Sequence, residues 1–425
     1  MIRLPAFARP ALATALAALL AAGAAPSAWA QAEGAAASAP APSLRAEVAK
    51  PLQAAQEALK ASNAKDALAR IAEAEAVPAL TPYEAYIVRR LKAPALFSTG
   101  DVAGAMAIFE GLLSAPELPK ADKPLMQATV AKLALQLKDY AKAVAMSRAY
   151  FADGGTDADL KRMFPSLLAA AGDDAGVVRE LAPGVAADEA AGRATPEATL
   201  RLLAASQDKL GDKPGYNKTV ERLAVTTNKA DYWAMAIAAV TGRPGFADDR
   251  LRLDVYRLRR AAGLSPSADE VGDMAYRANQ AGLPAEAQAL LDEGFASNLL
   301  SAGKNAAEDR KLRDAATKAA AQDRSGLAES EASAAKAKDG NPLFNLGLAV
   351  SAAGGHDKAL SLMAAGQAKG GLRRPDEALL HLGLAQWRAG KLDDAVKTWA
   401  SVQGSDGTAD LARLWTLVAK AAPRK

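Results

Sequence analysis

A pattern of small residues near the C-terminus most constrains what this chain can fold into. In residues 376–402, apolar side chains follow a helical period, a glycine interrupts the helix, and a second short helix follows. Gly383 in the first helix and Ala395 in the second are small where the paired helices would cross. Gly347 and Ala359 repeat this pattern 36 residues earlier. The repeat predicts stacked helical hairpins, because one hairpin cannot bury its apolar face alone.

The same stretch resembles the tetratricopeptide (TPR) repeat signature. The matching positions are Leu379, Leu382, Gly383, Gln386, Ala395 and Trp399. Gln386 replaces the usual tyrosine, and no proline closes the repeat. A weaker likeness extends over residues 44–421. It implies an all-α fold, an α-solenoid of stacked antiparallel helical hairpins that forms a TPR-like superhelix with a concave inner surface.

The first 30 residues have the pattern of a secretory signal peptide. Arg3 and Arg9 give a positively charged start, a short apolar run follows, and Ala28-Trp29-Ala30 forms an A-x-A cleavage site. We therefore expect cleavage after Ala30. The alternative is an uncleaved anchor, which the short apolar run disfavours because it is too short to span a bilayer comfortably.

Four further segments follow the signal peptide. Residues 31–43 are rich in alanine, proline and serine and predict a disordered linker. Residues 44–182 contain N-terminal TPR-like repeats, in which Pro94 and Pro165 are expected to kink or end their helices early. Residues 183–195 predict a loop or joint. Residues 196–421 contain the C-terminal TPR-like repeats, with a polar insert at 305–339 and a capping helix at 408–421.

Composition narrows the compartment and the partners. The 425 residues include no cysteine, which excludes disulfides, thiolate metal sites, cysteine nucleophiles and a lipid-modified N-terminal cysteine. The formal net charge of +4 gives no case for nucleic-acid binding. We expect no transmembrane segment after signal cleavage. An export signal without a lipid anchor predicts a periplasmic protein.

The sequence carries no pattern of residues that indicates catalysis. Its two histidines, His356 and His381, fall in different repeats, and neither has a metal-ligand spacing beside it. A phosphate-binding loop and a serine nucleophile elbow are both missing from the sequence. We therefore predict no catalytic residue, metal or cofactor, and no enzymatic activity. The alternative is an enzyme subunit with a site in the polar insert or in the joint.

Two features indicate protein partners. The basic run at 250–260 is interpreted as a solvated helix face with salt bridges, or alternatively as a contact with an acidic segment of a partner. TPR arrays usually bind peptides on the inner face of each first helix. By this resemblance, the candidate groove contains Tyr276, Asn279, Gln280, Phe344, Leu348, Glu377, Trp387 and Arg388. The alternative is that Phe344, Leu348 and Trp387 only pack against adjacent helices.

A finer resemblance covers the chain from Lys229 to its end. The segments KADYWAMAIAAVTGRPG, DVYRLRRAAGL, QAGLPAEAQALLDEG and RRPDEALLHLGLAQWRAGKLDDAVKTW are similar to secreted TPR proteins associated with TonB energy-transduction systems of Gram-negative bacteria. This implies a periplasmic, non-enzymatic protein–protein interaction scaffold whose partners are proteins of a TonB–ExbB–ExbD complex. The alternative is an adaptor for envelope or peptidoglycan assembly.

Overall fold

A computed structural model describes residues 43–421, which form α-helices and no strand. The predicted signal peptide, and the predicted linker up to residue 42, lie outside the described residues. The chain divides into two compact units, Met1–Ala186 and Ala187–Lys425. Within each unit, successive helices pair as antiparallel hairpins that stack on one another. The predicted fold class, an all-α array of stacked TPR-like hairpins, is confirmed.

The N-terminal unit consists of hairpins that pack mainly on their neighbours in the chain. Its helices are α1 (Ala46–Lys60), α2 (Ala64–Glu75), α3 (Pro82–Thr99), α4 (Val102–Leu113), α5 (Lys123–Gln136), α6 (Tyr140–Ala152), α7 (Ala158–Ala170) and the first part of α8 (Asp174–Ala190). One apolar cluster links α1, α2 and α3 around Ile71. A second links α3 to α6 around Phe109. Each of these two apolar clusters is therefore formed by helices that are consecutive in the chain.

Helix starts in this unit follow local sequence signals. Asn63, Asp101 and Asp139 each accept a hydrogen bond from a backbone N–H three residues later. At the start of α3, Thr81 accepts from the N–H of Glu84 at 3.2 Å, and the Glu84 carboxylate accepts from the N–H of Thr81 at 2.9 Å. These caps satisfy N–H groups that have no partner inside the helix.

Three prolines lie inside helices that the sequence analysis expected to kink, end or become a loop. Helix α3 continues past Pro94 to Thr99, and α7 continues past Pro165 to Ala170. Helix α8 continues past Pro183 to Ala190, so the predicted joint at 183–195 is helical over its first part and irregular only from residue 191. Each proline costs its helix one hydrogen bond, a loss that burial of the surrounding turns can offset.

The C-terminal unit continues the hairpin plan. Its helices after α8 are α9 (Glu197–Lys209), α10 (Lys213–Thr227), α11 (Ala230–Thr241), α12 (Asp248–Ala261), α13 (Ala268–Gln280), α14 (Pro284–Ala296), α15 (Ala306–Ser325), α16 (Leu327–Lys336), α17 (Asn341–Ala352), α18 (His356–Lys369), α19 (Pro375–Arg388), α20 (Leu392–Ala400) and α21 (Thr408–Ala421). The polar insert forms two helices, α15 and α16.

Close helix crossings explain the small residues that define the repeat. A Cβ atom on Gly383 would lie 2.3 Å from Nε1 of Trp399, which packs over the glycine and donates a hydrogen bond to the carbonyl of Leu380 at 3.1 Å. In the preceding repeat, a Cβ on Gly347 would lie 2.8 Å from the carbonyl oxygen of Ala359. Any larger side chain at either glycine would push the paired helices apart.

Helix α21 closes the C-terminal unit by packing on helices that are distant in the chain. The predicted packing stripe of this helix, Leu411, Leu414, Trp415 and Val418, is buried. It contacts α19 and α20, but also α10, α11 and α12. The backbone N–H of Ala247 donates to the carbonyl of Asp406 at 2.8 Å, Arg243 pairs with Asp410, and Arg413 pairs with Glu221. The start and the end of this unit therefore share one core.

Candidate functional site

Six of the eight predicted groove residues are distributed over two cavities of the C-terminal unit. Tyr276, Gln280, Leu348 and Glu377 line a cavity of about 460 Å³ between α12, α13, α17 and α19, here called the Tyr276 cavity. Most of its lining residues come from α12 and from α13, α17 and α19, which are the first helices of three hairpins. Tyr276 is 54% exposed.

Trp387 and Arg388 line a second cavity, of about 470 Å³, here called the Arg388 cavity. Ser351, Leu384 and Trp415 also line it. The Trp387 ring packs at 5.3 Å from the Trp415 ring, which in turn stacks on Trp399 at 5.8 Å. Trp387 thus has a packing role and also presents a face to the cavity.

The two other predicted groove residues line neither cavity. Phe344 is 3% exposed and belongs to the apolar core between α13, α14, α17 and α18. Asn279 is half-buried on α13. For Phe344, the structure fits the alternative that it packs against adjacent helices. Helical periodicity alone could not distinguish a core aromatic residue from a groove aromatic residue, since both lie on the same first helices.

A buried network of charged side chains separates the two cavities. Arg257 donates to both carboxylate oxygens of Glu286, from Nε at 2.8 Å and from Nη2 at 2.7 Å. Its Nη1 donates to Asp254 at 2.8 Å. Nε2 of His381 lies 3.0 Å from Asp254, and Nη2 of Arg388 lies 3.5 Å from Glu286. These five residues, from α12, α14 and α19, are called the buried charge network.

Burial and charge act in opposite directions on the acids of this network. Burial would raise the pKa of Glu286, but the charge and hydrogen bonds of Arg257 outweigh it and lower the pKa to about 2. Burial would also raise the pKa of Asp254, yet His381 and Arg257 together hold it well below its usual range. Both carboxylates are therefore ionised at neutral pH.

The arginines differ in how well their charges are compensated. Burial lowers the pKa of Arg257, but its two carboxylate partners outweigh this, so its pKa is raised. For Arg388, burial is again the largest influence, Glu286 compensates only in part, and the pKa is lowered. The 3.5 Å separation from Glu286 agrees with this difference. Arg388 is thus the incompletely paired cation of the network.

Sequence reasoning missed Asp254, Arg257, Glu286 and His381 as a connected group. Arg257 stood within the basic run, but its burial became visible only when α12, α14 and α19 came together. The run's other arginines also have acidic partners within the chain: Arg250 pairs with Glu377 and Asp406, Arg252 with Asp248, Arg259 with Glu270 and Arg260 with Glu293. These internal pairs favour a structural role for the run.

The N-terminal unit has a cavity of its own, of about 490 Å³, between α6, α7 and α8. Arg148, Lys161 and Arg179 line it together with the aromatic residues Phe151 and Phe164. Arg148 is paired with Asp173, whose carboxylate also caps α8 through the N–H of Gly176 at 2.8 Å. The helix cap and the ion pair account for Arg148 and Asp173 without a ligand.

In residues 43–421, no group of three or more histidine or acidic side chains is arranged to hold a metal ion. Over the same residues, none of the helices combines the length and the apolar character needed to cross a membrane.

Comparison with known proteins gives likenesses of fold only. The chain matches no family model and no curated protein. Similar solved structures include Naa15/Naa10 bound to HypK-THB (14% identity, TM-score 0.30, 86% of this chain and 58% of that chain). Others are the P58(IPK) TPR domain (13%, 0.24, 89% and 100%) and yeast Tom70 (10%, 0.25, 88% and 95%). The chain thus spans less than two thirds of the first of these, and no function is transferred from any of them.

Proposed function

We propose that this protein is a periplasmic, non-enzymatic scaffold that binds protein partners through the C-terminal unit and serves a TonB–ExbB–ExbD system. The single observation that carries the binding role is the Tyr276 cavity, where helices α12, α13, α17 and α19 contribute side chains to one surface depression. A stacked array of hairpins positions such a depression rigidly, so little ordering of the scaffold opposes binding.

The chemistry of this cavity suits an extended peptide segment. Tyr276 and Gln280 are exposed one helical turn apart, and Leu348 gives the cavity an apolar floor. Tyrosine combines a large apolar face with a hydroxyl group and is enriched where proteins bind one another. The cavity's arginines, Arg250, Arg257 and Arg277, already have acidic partners. Contact with the exposed aromatic ring, rather than net charge, would therefore supply the affinity.

The periplasmic assignment is supported by the sequence at the start of the chain. Arg3, the apolar run and the A-x-A site ending at Ala30 have the pattern of a cleaved export signal. Fractionation of cells followed by N-terminal sequencing tests it: the mature chain should begin at Gln31 and be released with the periplasm. Recovery of the chain in the cytosol with its first 30 residues intact would overturn this assignment.

Crosslinking in living cells tests the binding role. The variant Tyr276→Ala with Gln280→Ala removes two exposed side chains and should lower recovery of the crosslinked partner roughly tenfold. Met235→Ala is the matched control, because Met235 is 41% exposed on α11 of the same unit and lies outside the cavity. Helical content, measured by circular dichroism, should stay unchanged in both variants.

The identity of the crosslinked partner tests the finer proposal. Recovery of TonB, ExbB or ExbD would support the energy-transduction role. Recovery of envelope or peptidoglycan-assembly proteins instead would replace that role with the adaptor alternative. If the cavity variant and the control recover the partner equally well, the Tyr276 cavity is not the binding site.

A further inference from the structure

Among the described residues, three buried polar atoms of the Arg388 cavity have no hydrogen-bond partner. They are Nη1 of Arg388, Oγ of Ser351 and Nδ1 of His356, and all three residues line this cavity. Ser351 is only 2% exposed, so its hydroxyl group has little access to solvent. An unpaired buried polar group costs free energy, and three such groups beside one cavity indicate a place where a ligand supplies the missing bonds.

Local backbone structure brings these groups together. Ser351 lies in the last turn of α17 and His356 begins α18. The tight turn between them contains Gly354, whose φ of +87° strongly favours glycine. Arg388 is the last residue of α19, where a cation also suits the negative end of the helix dipole. The polar groups therefore sit on helix ends that the fold holds in place.

Within residues 43–421, the charged side chains around the cavity leave Arg388 as the cation with an unused donor. Arg257 is occupied by Glu286, and Arg260 donates to Glu293 at 2.7 Å. Both acids of the cavity are thus already paired with other arginines. Arg388 reaches Glu286 only at 3.5 Å through Nη2, and its Nη1 donates to nothing. The guanidinium of Arg388 is therefore the group that would gain most from an added anion.

We propose that the Arg388 cavity binds a small carboxylic acid with an apolar body. Arg388 and Ser351 hold the carboxylate, with His356 beside them, while Leu384 and Trp387 contact the apolar body. A guanidinium presents two parallel N–H donors that match a carboxylate. A single negative charge fits better than a phosphate dianion, because Glu286 and Glu293 also line the cavity. This site is independent of the proposed scaffold role.

Calorimetric titration of the full chain with phenylacetate, indole-3-acetate and octanoate tests the proposal. At least one acid should bind, and the matched amide, phenylacetamide, indole-3-acetamide or octanamide, should bind at least about tenfold more weakly, because it lacks the charge that pairs with Arg388. A tripeptide ending in tryptophan, with a free or an amidated terminus, distinguishes a chain terminus from a free acid as the source of the carboxylate. If no carboxylate binds, or if acids and amides bind equally, the proposal is overturned.

Two variants locate the site. Arg388→Gln should weaken acid binding roughly tenfold or more, whereas Arg413→Gln, which removes an arginine of α21 outside the cavity, should leave it unchanged. Ser351→Ala should weaken binding about fivefold without lowering the stability of the free protein, because its hydroxyl group makes no hydrogen bond there. Unchanged affinity in both cavity variants would contradict the assignment, and thermal unfolding of each variant checks that it is folded.

Discussion

The two units use the same hairpin plan but complete their cores differently. In the N-terminal unit, one apolar cluster extends from Val48 to Ala95 and the next from Tyr86 to Ala143, so each group of helices buries its neighbours. In the C-terminal unit, one cluster extends from Val220 to Ala419. Closure by α21 therefore adds long-range contacts to an array that could otherwise be held by local ones.

The long-range packing of the C-terminal unit also brings together charged side chains from distant helices. Ion pairs join α12 to α19, whose residues are more than 100 positions apart in the chain, and these pairs include the buried charge network. Both cavities of the C-terminal unit lie beside that network. The comparison teaches that the C-terminal unit joins charged side chains of helices that are distant in the chain, whereas the cavity of the N-terminal unit lies between consecutive helices.

The largest expected loss of stability comes from removing the Trp415 side chain, which packs between Trp387 and Trp399. Trp415→Ala should lower the free energy of unfolding of the C-terminal unit by about 4 kcal/mol, because it leaves a large cavity beside Trp399 and Trp387. Phe109→Ala is the matched change in the N-terminal unit, since Phe109 is fully buried. Denaturant unfolding gives the size of each loss.

Hydrogen exchange then shows how far each loss spreads. We expect Trp415→Ala to raise exchange from α10 to α12 and from α19 to α21 together. Phe109→Ala should raise exchange mainly in α3, α4 and α5, which pack around it. Increased exchange confined to α20 and α21 in the Trp415 variant would contradict the description of one core shared by α10 to α12 and α19 to α21.

We expect an intermediate loss of stability when the pH is lowered. Glu286 has its pKa lowered to about 2, so the folded unit binds fewer protons than the unfolded chain. Its stabilisation is complete above about pH 4.5 and is lost as the pH falls towards 2, a contribution on the order of 3 kcal/mol. Unfolding measured at about pH 5 and about pH 3 should show this slope in the wild type and a smaller slope in Glu286→Gln.

The N-terminal unit offers the comparison for this pH effect. Hydrogen bonds from Arg45 and from the backbone lower the pKa of Glu84 to about 2 as well. The Arg45 side chain, however, is 43% exposed, whereas that of Arg257 is 4% exposed. Added salt should therefore reduce the acid sensitivity of the N-terminal unit more than that of the C-terminal unit. Equal salt dependence in the two units would show that burial does not protect the charges of the network from screening by salt.

The smallest effect comes from a matched pair of helix caps. Thr81 is the N-cap of α3 and Ser267 is the N-cap of α13, and both form a capping box with the glutamate three residues later. Thr81→Ala and Ser267→Ala should each cost about 1 kcal/mol. Hydrogen exchange after either change should rise mainly in the first turn of its own helix. If Ser267→Ala raised exchange in other helices as well, a small local loss of stability would spread through the shared core of the C-terminal unit.

Local signals made the hairpins predictable from the sequence. Gly383 and Ala395 indicated a close crossing, and the structure shows the Trp399 ring packed against the glycine. Caps and turns are short-range features, so a pattern of a few residues can encode them. The stripe of α21 was equally visible, but amphipathicity indicates only that a face is buried and not which helices bury it.

The sites were less predictable because they depend on contacts between distant helices. Tyr276 and Gln280 were found from their places on first helices, as were Trp387 and Arg388, which belong to a different cavity. His381 appeared as an isolated residue in the sequence. Its partner Asp254 lies 127 positions away, and nothing in either local pattern links the two.

The closure also sets the order in which the chain can finish folding. Helices α10 to α12 are synthesised well before α21, and until Leu411 and Trp415 emerge, the side chains around Trp233 and Leu251 keep their apolar faces uncovered. A nascent or prematurely terminated chain that lacks α21 would therefore expose apolar surface to chaperones and proteases. Helix α21, which is fourteen residues long, therefore covers apolar side chains of α10 to α12 that precede it in the chain.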